Sequence, residues 1–339
     1  LSTSSTALAH DPEAALDQAV EWLAGQQLED GGFSTGFSDG SDLGASVDAA
    51  IAFASAGQDP ASVSTQGVSL MDYLLAAVAE TDLQDSPGLA AKVALAVIAS
   101  GRSPDQFGEV DLIALINSGY NQAVGLYGTG PFDSALAVLA LSAAGQDLPA
   151  GAVDGLLTTR IEDGSYGFTG DTTPGSGDSN TTALVVQALV AAGAAPQEIQ
   201  PSLDYFMAVQ NDDGGWTYQK PSDFGEATDA NSTALVMQAL LASGESLEEW
   251  GDPVDALLLF QDSSGAFGFN AAMPDPSLLA TVQAIPALAG VDYTEIGTLD
   301  LAAGSTQADS NLLLLTLAII VGLIAVAALI NWQQPSQEE

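Results

Sequence analysis

The chain of 339 residues has no cysteine, one histidine and only 4 lysine and arginine residues. Without cysteine there can be no disulfide, no thiolate nucleophile and no cysteine-ligated zinc. Its one histidine, His10, lies in a terminal segment and is expected to be an ordinary exposed side chain. The 44 Asp and Glu residues give a net charge of -40. Because phosphate binding needs clustered Lys and Arg, this composition excludes nucleic acid as a partner.

The acidity itself has two interpretations. It fits a solvated coat suited to saline or extracellular surroundings, and it also fits attraction of cations or of a basic partner protein. Many of the 30 Asp residues fall in turns and at helix starts, which favours the solvated coat with local capping roles.

An internal repeat organises most of the chain. Six apolar segments rich in small residues each end in a glycine, and these glycines recur at intervals of 44 to 51 residues. Such a period is typical of a repeat architecture rather than of one irregular domain. The closing glycines are Gly57, Gly101, Gly145, Gly193, Gly244 and Gly290.

Each repeat is predicted to be a helical hairpin. In the fifth unit, residues 202–210 form a first helix, 211–216 a turn and 229–244 a second helix that opens on Asp and closes on Gly. The first and fourth units follow the same pattern, and the other three are looser copies. The closing helices are apolar on all sides, which indicates burial, whereas the preceding helices are amphipathic. Six inner and six outer helices over residues 11–293 predict an all-α (α/α)6 toroid, with an open solenoid as the alternative.

Two turns carry a shared motif, Gln-x-x-Asp-Gly-Gly followed by an aromatic residue. The glycines allow a tight turn, the Asp caps the next segment, and the ring covers the Gln amide, so the motif is predicted to brace the helices. A weaker copy spans residues 261–267. The motif residues are Gln27, Asp30, Gly31, Gly32, Phe33, Gln210, Asp213, Gly214, Gly215 and Trp216.

This motif resembles the Gln-Trp motif of squalene-hopene and oxidosqualene cyclases, and residues 11–293 resemble the prenyltransferase and squalene oxidase repeat proteins. That superfamily of toroids includes protein prenyltransferases, complement thioester domains and the cobalamin carriers of the intrinsic factor type. The resemblance implies catalysis only where the family motifs are present. The central Asp-x-Asp-Asp of class II cyclases and the Asp-rich metal motifs of class I cyclases are absent. The Cys that protein prenyltransferases and thioester domains need is absent as well. We therefore expect a non-catalytic toroid without metal or cofactor, with a cyclase-like enzyme as the alternative.

A candidate ligand site lies where the inner helices begin. Fifteen residues before the closing glycines, four of the six positions are Asp, and these starts share one end of a toroid. Capping of the helices explains the same pattern structurally. Resemblance to the cobalamin carriers implies a corrinoid as one candidate small ligand, with a partner chain needed to close the pocket. The candidate ligand-binding residues are Asp42, Asp133, Asp178, Asn180, Gln187, Asp229, Asn231, Gln238 and Asp275.

The remaining segments predict membrane attachment. Residues 312–330 are apolar and uncharged over about 28 Å of helix, close to the bilayer core of about 30 Å, although a thirteenth core helix is the alternative. Residues 294–311 read as a polar linker and 331–339 as a tail, and residues 1–10 read as a signal-peptide remnant or simply as a trimmed start. We therefore expect an exported single-pass protein of the cell membrane, its toroid on the extracytoplasmic side as an accessory subunit of a membrane complex or transporter.

Overall fold

The computed structural model describes residues 11–36, 40–223 and 225–301. The chain divides into a compact unit that ends at Leu299 and a second unit from Asp300 to Glu339. The predicted N-terminal segment 1–10, the transmembrane helix 312–330 and the tail 331–339 lie outside the described residues. Among the residues that are described, no helix combines the length and the apolar character needed to cross a bilayer.

Twelve α-helices occupy the described part of the first unit, alternating between an outer and an inner layer. The outer helices are α1 (Pro12–Ala24), α3 (Leu70–Glu80), α5 (Leu112–Ser118), α7 (Ala152–Thr158), α9 (Pro196–Val209) and α11 (Pro253–Leu258). The inner helices are α2 (Leu43–Ser55), α4 (Pro87–Ala99), α6 (Pro131–Ala143), α8 (Ser179–Ala191), α10 (Ala230–Ala242) and α12 (Leu278–Leu288).

The inner helices form the core, as their composition predicts. In α10 every residue from Ala230 to Leu240 is buried, because small and branched apolar side chains let the helix contact neighbours on all sides. Each inner helix is followed by its predicted closing glycine at a positive φ between 66° and 77°. That backbone conformation ends a helix at little strain only for glycine.

The inner helices close into a ring. Each packs against the next one along the chain, and α12 packs against α2. The outer layer closes as well, because α1 contacts α11 and α12, and Gln261 of the sixth unit donates to the Ala15 carbonyl over 2.7 Å. Closure excludes the open solenoid and gives the predicted (α/α)6 ring.

The structure differs from the sequence prediction at three places. Three short β-hairpins lie between helices, so the unit is not purely helical: β1 (Ser64–Thr65) with β2 (Val68–Ser69), β3 (Tyr120–Asn121) with β4 (Leu126–Tyr127), and β5 (Gly268–Asn270) with β6 (Met273–Pro276). Helix α9 begins at Pro196 rather than at residue 202 and contains Pro201. The prediction that Asp275 begins the sixth inner helix is wrong, because Asp275 is an exposed residue of β6 and Ser277 caps α12.

The C-terminal end of the inner ring is covered by residues 291–299. A 3-10 turn (Ile296–Thr298) packs against α4 and α6, with Ile296 buried. The Tyr293 amide donates to the Gln187 side chain in α8 over 2.9 Å. Burial, and after it the negative charge of Asp48 on α2 across the ring, raises the pKa of Tyr293. A residue that interacts with two opposite helices lies on the ring axis, so Tyr293 plugs this end. Residues 294–299, assigned to the linker from sequence, are thus packed on the ring.

Candidate ligand-binding site at the mouth of the ring

The turn motif braces neighbouring units. The Gln210 amide donates to Gly214 of its own turn over 2.8 Å and to the Trp250 carbonyl of the next unit over 2.6 Å. Gln27 makes the same pair of bonds, to Gly31 at 2.8 Å and to Val63 of the second unit at 3.2 Å. One side chain therefore fixes both its own turn and the adjacent unit, with two backbone carbonyls satisfied by one amide.

The other motif residues hold the turn in place. Asp213 accepts from the Gly215 amide at 3.1 Å and from the Thr228 hydroxyl at 2.6 Å, and Asp30 accepts in the same way from Gly32 and Ser41. Gly215 has no room for a side chain, because a Cβ there would overlap Thr228. The buried Trp216 donates its indole N–H to the Phe206 carbonyl over 2.9 Å. The Gln, Asp and aromatic side chains of the motif therefore have structural roles at these turns.

A second set of anchoring residues was missed from the sequence. In five units the backbone N–H of the buried aromatic residue after the turn donates to a Ser or Thr hydroxyl on the inner helix. In the first four of these units the hydroxyl residue lies eleven positions before the closing glycine, a regularity that the sequence contains. The pairs, at 2.9 to 3.0 Å, are Phe33 with Ser46, Tyr127 with Ser134, Tyr166 with Thr182, Trp216 with Thr233, and Phe267 with Thr281.

Three of the predicted Asp residues cap inner helices. Asp42, Asp178 and Asp229 accept from the backbone amides three residues later at 2.7, 2.7 and 2.8 Å, respectively. Asp133 instead lies in the first turn of α6, where it accepts from the amide and hydroxyl of Thr129, both at 2.9 Å, and packs against Gly88. Three of the six predicted helix starts therefore carry ordinary Asp caps, and Asp275 does not begin an inner helix.

The predicted amides lie on one face of their helices. Asn180 and Gln187 in α8, like Asn231 and Gln238 in α10, are seven residues apart, which is about two helical turns. Because Gln187 bonds the axial residue Tyr293, this face points toward the ring axis. The side chains of Gln187 and Gln238 are buried inside the ring. Gln238 donates to the Ala234 carbonyl of its own helix over 3.4 Å. The two Asn residues lie near the mouth, at the N-terminal ends of the inner helices.

Three leucines lie about one helical turn below the mouth. Leu136, Leu184 and Leu235 occupy the same position in α6, α8 and α10, four residues after the mouth level, and their exposed fractions are 3%, 4% and 6%. Lys92 in α4 and Asp48 in α2 form an ion pair at 2.6 Å, and the Asn231 amide in α10 donates to Gln283 in α12 over 2.7 Å. Buried apolar side chains and paired polar groups therefore line the inner ring below the mouth.

A groove of about 380 Å³ opens at this mouth between the loop 217–229 and the hairpin β5–β6. Its exposed apolar residues include Tyr218 and Met273, with exposed fractions of 46% and 54%. The groove lies beside the N-terminal ends of α10 and α12, the two helices joined by the Asn231–Gln283 bond. Its lining consists of Thr217, Tyr218, Gln219, Ser222, Gly225, Ala227, Asp229, Phe269, Asn270 and Met273.

The carboxylates at the mouth are perturbed by burial. Burial raises the pKa of Asp178 to about 6, although hydrogen bonds from Thr181 and the Tyr218 hydroxyl partly offset it. Burial likewise raises the pKa of Asp229, against hydrogen bonds from Ser232 and the Tyr218 amide. The pKa of Tyr218 rises to about 12, first through burial and then through the Asp178 charge. Negative charge at this mouth is thus poorly solvated.

Asp178→Asn is expected to change the pH dependence of stability. The folded-state pKa of about 6 exceeds the ordinary value of 3.8, so unfolding releases a proton between these values and the wild-type protein loses stability as pH rises through that window. The loss is up to about 3 kcal/mol and is complete above about pH 6. Asn keeps the cap but cannot ionise.

Urea unfolding of both proteins from about pH 4 to about pH 8 measures this difference. The wild-type protein should lose stability relative to Asp178→Asn as pH rises, with the titration of all other groups cancelling. Parallel stability curves would contradict the assignment of the buried carboxyl.

Two acceptors at the mouth have no donor within the described part of the chain. The side-chain oxygens of Asn180 and Asn231 are inaccessible to solvent and accept no hydrogen bond. They occupy equivalent positions in neighbouring inner helices. Among the described residues, no group of three or more His, Asp or Glu side chains is placed to hold a metal ion.

No family model and no curated protein matches the chain. Several solved structures are similar to it. Haptocorrin in complex with Cbi is similar over 84% of this chain and 68% of its own, at 15% identity and a TM-score of 0.54. The type II terpene cyclase MstE from Scytonema with geranylgeranyl dihydroxybenzoate is similar over 84% and 98%, at 12% identity and a TM-score of 0.58. The GH76 α-mannanase BT2949 from Bacteroides thetaiotaomicron is similar over 83% of this chain and 95% of its own, at 11% identity and a TM-score of 0.54. The chain shares the (α/α)6 toroid fold with two enzymes, MstE and the mannanase, and with one binding protein, haptocorrin.

Proposed function

We propose that this protein is a non-catalytic toroid that binds a small organic ligand in the groove at the mouth of the ring. The observation that carries the proposal is the groove itself, which opens between residues 217–229 and the hairpin β5–β6. Below it the inner-helix leucines Leu136, Leu184 and Leu235 are almost fully buried. The mouth groove is concave and combines aromatic and apolar side chains with polar ones, as small-molecule sites do.

The setting of this binding activity is part of the proposal. Residues 312–330 would anchor the chain in the cell membrane, with the toroid on the extracytoplasmic side, where it would deliver its ligand to a membrane complex or transporter. The net charge of -40 keeps such a domain soluble and discourages contact with anionic lipid headgroups.

Corrinoid capture is a second candidate for the ligand. Haptocorrin, whose structure holds Cbi, shares the toroid fold, and the polar side chains of Gln219 and Asn270 in the groove lining would bond a ligand with many polar groups. A cyclase-like enzyme is the third candidate, motivated by the fold shared with MstE. It would need an acid with access to an enclosed chamber, whereas the buried carboxyls Asp178 and Asp229 are engaged in capping helices.

Native mass spectrometry of the full chain, extracted in mild detergent from its own membrane, tests the proposal. We expect a bound small molecule that is lost from Phe269→Ala, which removes groove lining, and retained by Met207→Ala, an exposed apolar residue of the outer helix α9. A corrinoid mass would identify the second candidate. Co-purified membrane subunits without any small molecule would overturn ligand binding in favour of a docking scaffold, and turnover of squalene or another polyprenyl substrate would overturn the absence of catalysis.

A further inference from the structure

We propose that a groove in the outer layer of the ring is a docking site for an amphipathic helix of a partner protein, with basic residues at both ends of its apolar face. The groove lies between the outer helices α3 and α5 and has a volume of about 570 Å³, against about 380 Å³ for the mouth groove. The two grooves share no residue. The inference therefore concerns a second surface and does not depend on what the mouth binds.

A short outer helix leaves this groove open. Helix α5 has 7 residues, whereas α3 has 11. Helix α3 packs on α2 and α5 packs on α4, but the two outer helices hardly contact each other. The Gln84 amide donates to the Ser118 hydroxyl over 3.3 Å, which joins their C-terminal ends, and Gly108 packs against Leu75, which places the start of α5 beside the first half of α3. The helices therefore run parallel, with an open channel between them.

An apolar strip forms the middle of the groove. Val78 and Leu83 are buried beneath it, whereas the side chains of Val110 and Leu115 on its walls are only half-buried. Removing such partly exposed apolar side chains from water favours association with another apolar surface. The strip thus gives a partner something to cover.

Exposed carboxylates lie at both ends of the strip. Asp82 follows the C-terminal end of α3, whereas Glu109 and Asp111 lie at the start of α5, which Asp111 caps. The seven residues of α5 separate these two ends by about 10 Å. No Lys or Arg lines the groove, and none of the three carboxylates forms an ion pair within the described part of the chain. A partner with positive charge at both ends of an apolar face is complementary to this arrangement.

A helix fits this groove better than a strand does. The two long walls, α3 and α5, bond their backbone groups internally, so they offer no open strand edge and recognise an occupant through side chains. An amphipathic helix satisfies its own backbone and presents apolar side chains on one face. Two basic residues seven positions apart on that face lie about 10 Å apart, which matches the separation of the acidic ends.

The occupant has to come from another protein. Residues 1–10 and 302–339 contain no Lys or Arg, and the whole chain has a net charge of -40. A second copy, or a terminal segment of this chain, would therefore bring no matching cation to the three carboxylates. A basic partner is instead steered toward them by the field of the whole protein.

Two short helical peptides of identical composition test the inference. In the first, two Lys residues seven positions apart flank Leu residues three and four positions after the first Lys. In the second, the same residues are reordered so that Lys and Leu lie on opposite faces. Binding to the full chain in mild detergent is measured by fluorescence anisotropy, with detergent alone as the blank. We expect the first peptide to bind at least about tenfold more tightly.

Variants connect this preference to the groove. Leu115→Glu should weaken binding of the first peptide about tenfold, because it places a charge in the apolar contact, although it makes the protein more acidic. Asp82→Asn combined with Glu109→Gln should weaken binding about fivefold, because two exposed ion pairs are lost. Glu248→Gln combined with Glu249→Gln is the matched control, since it removes the same charge from an exposed turn outside the groove and should leave binding unchanged.

The outcomes separate a docking groove from general acidity. Equal binding of the two peptides, no binding of either, tighter binding to Leu115→Glu, or equal effects of the groove and control neutralisations would each overturn the docking site. If Leu115→Glu does not fold, the Asp82 and Glu109 variant decides, because both side chains are exposed. None of these results bears on the small molecule in the mouth groove, so the two proposals fail separately.

Discussion

Trp216→Ala should lower the free energy of unfolding by about 3 to 5 kcal/mol, because it deletes the largest fully buried side chain among the described residues. The indole fills the space between the turn and its two helices and lies 6.3 Å from the Trp250 ring of the next unit. Its N–H bond to Phe206 is lost as well, which leaves a buried carbonyl with one partner fewer. Denaturant unfolding followed by circular dichroism measures the change.

Trp216→Phe is the matched control for this prediction. Phe occupies the equivalent position in the first and sixth units, as Phe33 and Phe267, so the site accepts a smaller ring with the same backbone bond to the inner helix. We expect a loss well below that of the Ala variant. An Ala variant as stable as the Phe variant would mean that the turn is not a brace that depends on the ring.

Tyr293→Ala should destabilise the protein by a similar amount, about 3 to 5 kcal/mol, because it empties the axis at the closed end of the ring. The backbone bond of residue 293 to Gln187 can persist, so the loss reports the ring and hydroxyl rather than the segment. Denaturant unfolding of the variant and of the wild-type protein measures the loss.

Tyr293→Phe separates the ring from the hydroxyl. Since burial and the Asp48 charge both disfavour ionisation of Tyr293, its hydroxyl is neutral and contributes less than the ring. We expect the Phe variant to retain most of the stability. Equal losses for Phe and Ala would contradict the role of Tyr293 as an axial plug and would indicate a polar role instead.

The ring itself could be predicted because its determinants are local and repeated. The closing glycines take up positive φ, the Asp caps bond the amides three residues ahead, and the all-apolar helices are buried. Each of these follows from a residue and its near neighbours in sequence. The hairpins escaped prediction because strands of two to four residues are too short to show an alternating pattern. The wrong start of α12 follows from one of them, since β6 extends through Asp275.

The mouth could be predicted only in part. Helical spacing predicts that Asn180 and Asn231 occupy equivalent positions in their helices, but it could not show that Asp133 bonds Thr129 and contacts Gly88 of the neighbouring helix. Nor could spacing along one helix reveal the Tyr293 plug, which depends on a bond between residues 106 positions apart. The groove between Tyr218 and Phe269 likewise joins two units, and such contacts carry no signal in a single sequence.

An experimental structure of the full chain, purified with the molecule it carries, tests the central claim most directly. The account predicts ligand density in the groove between Tyr218 and Phe269, with the Tyr293 amide still bonded to Gln187 at the far end of the ring. Density along the axis below the mouth, with Tyr293 displaced and an elongated chain in its place, would contradict the account and would indicate a cyclase-type chamber.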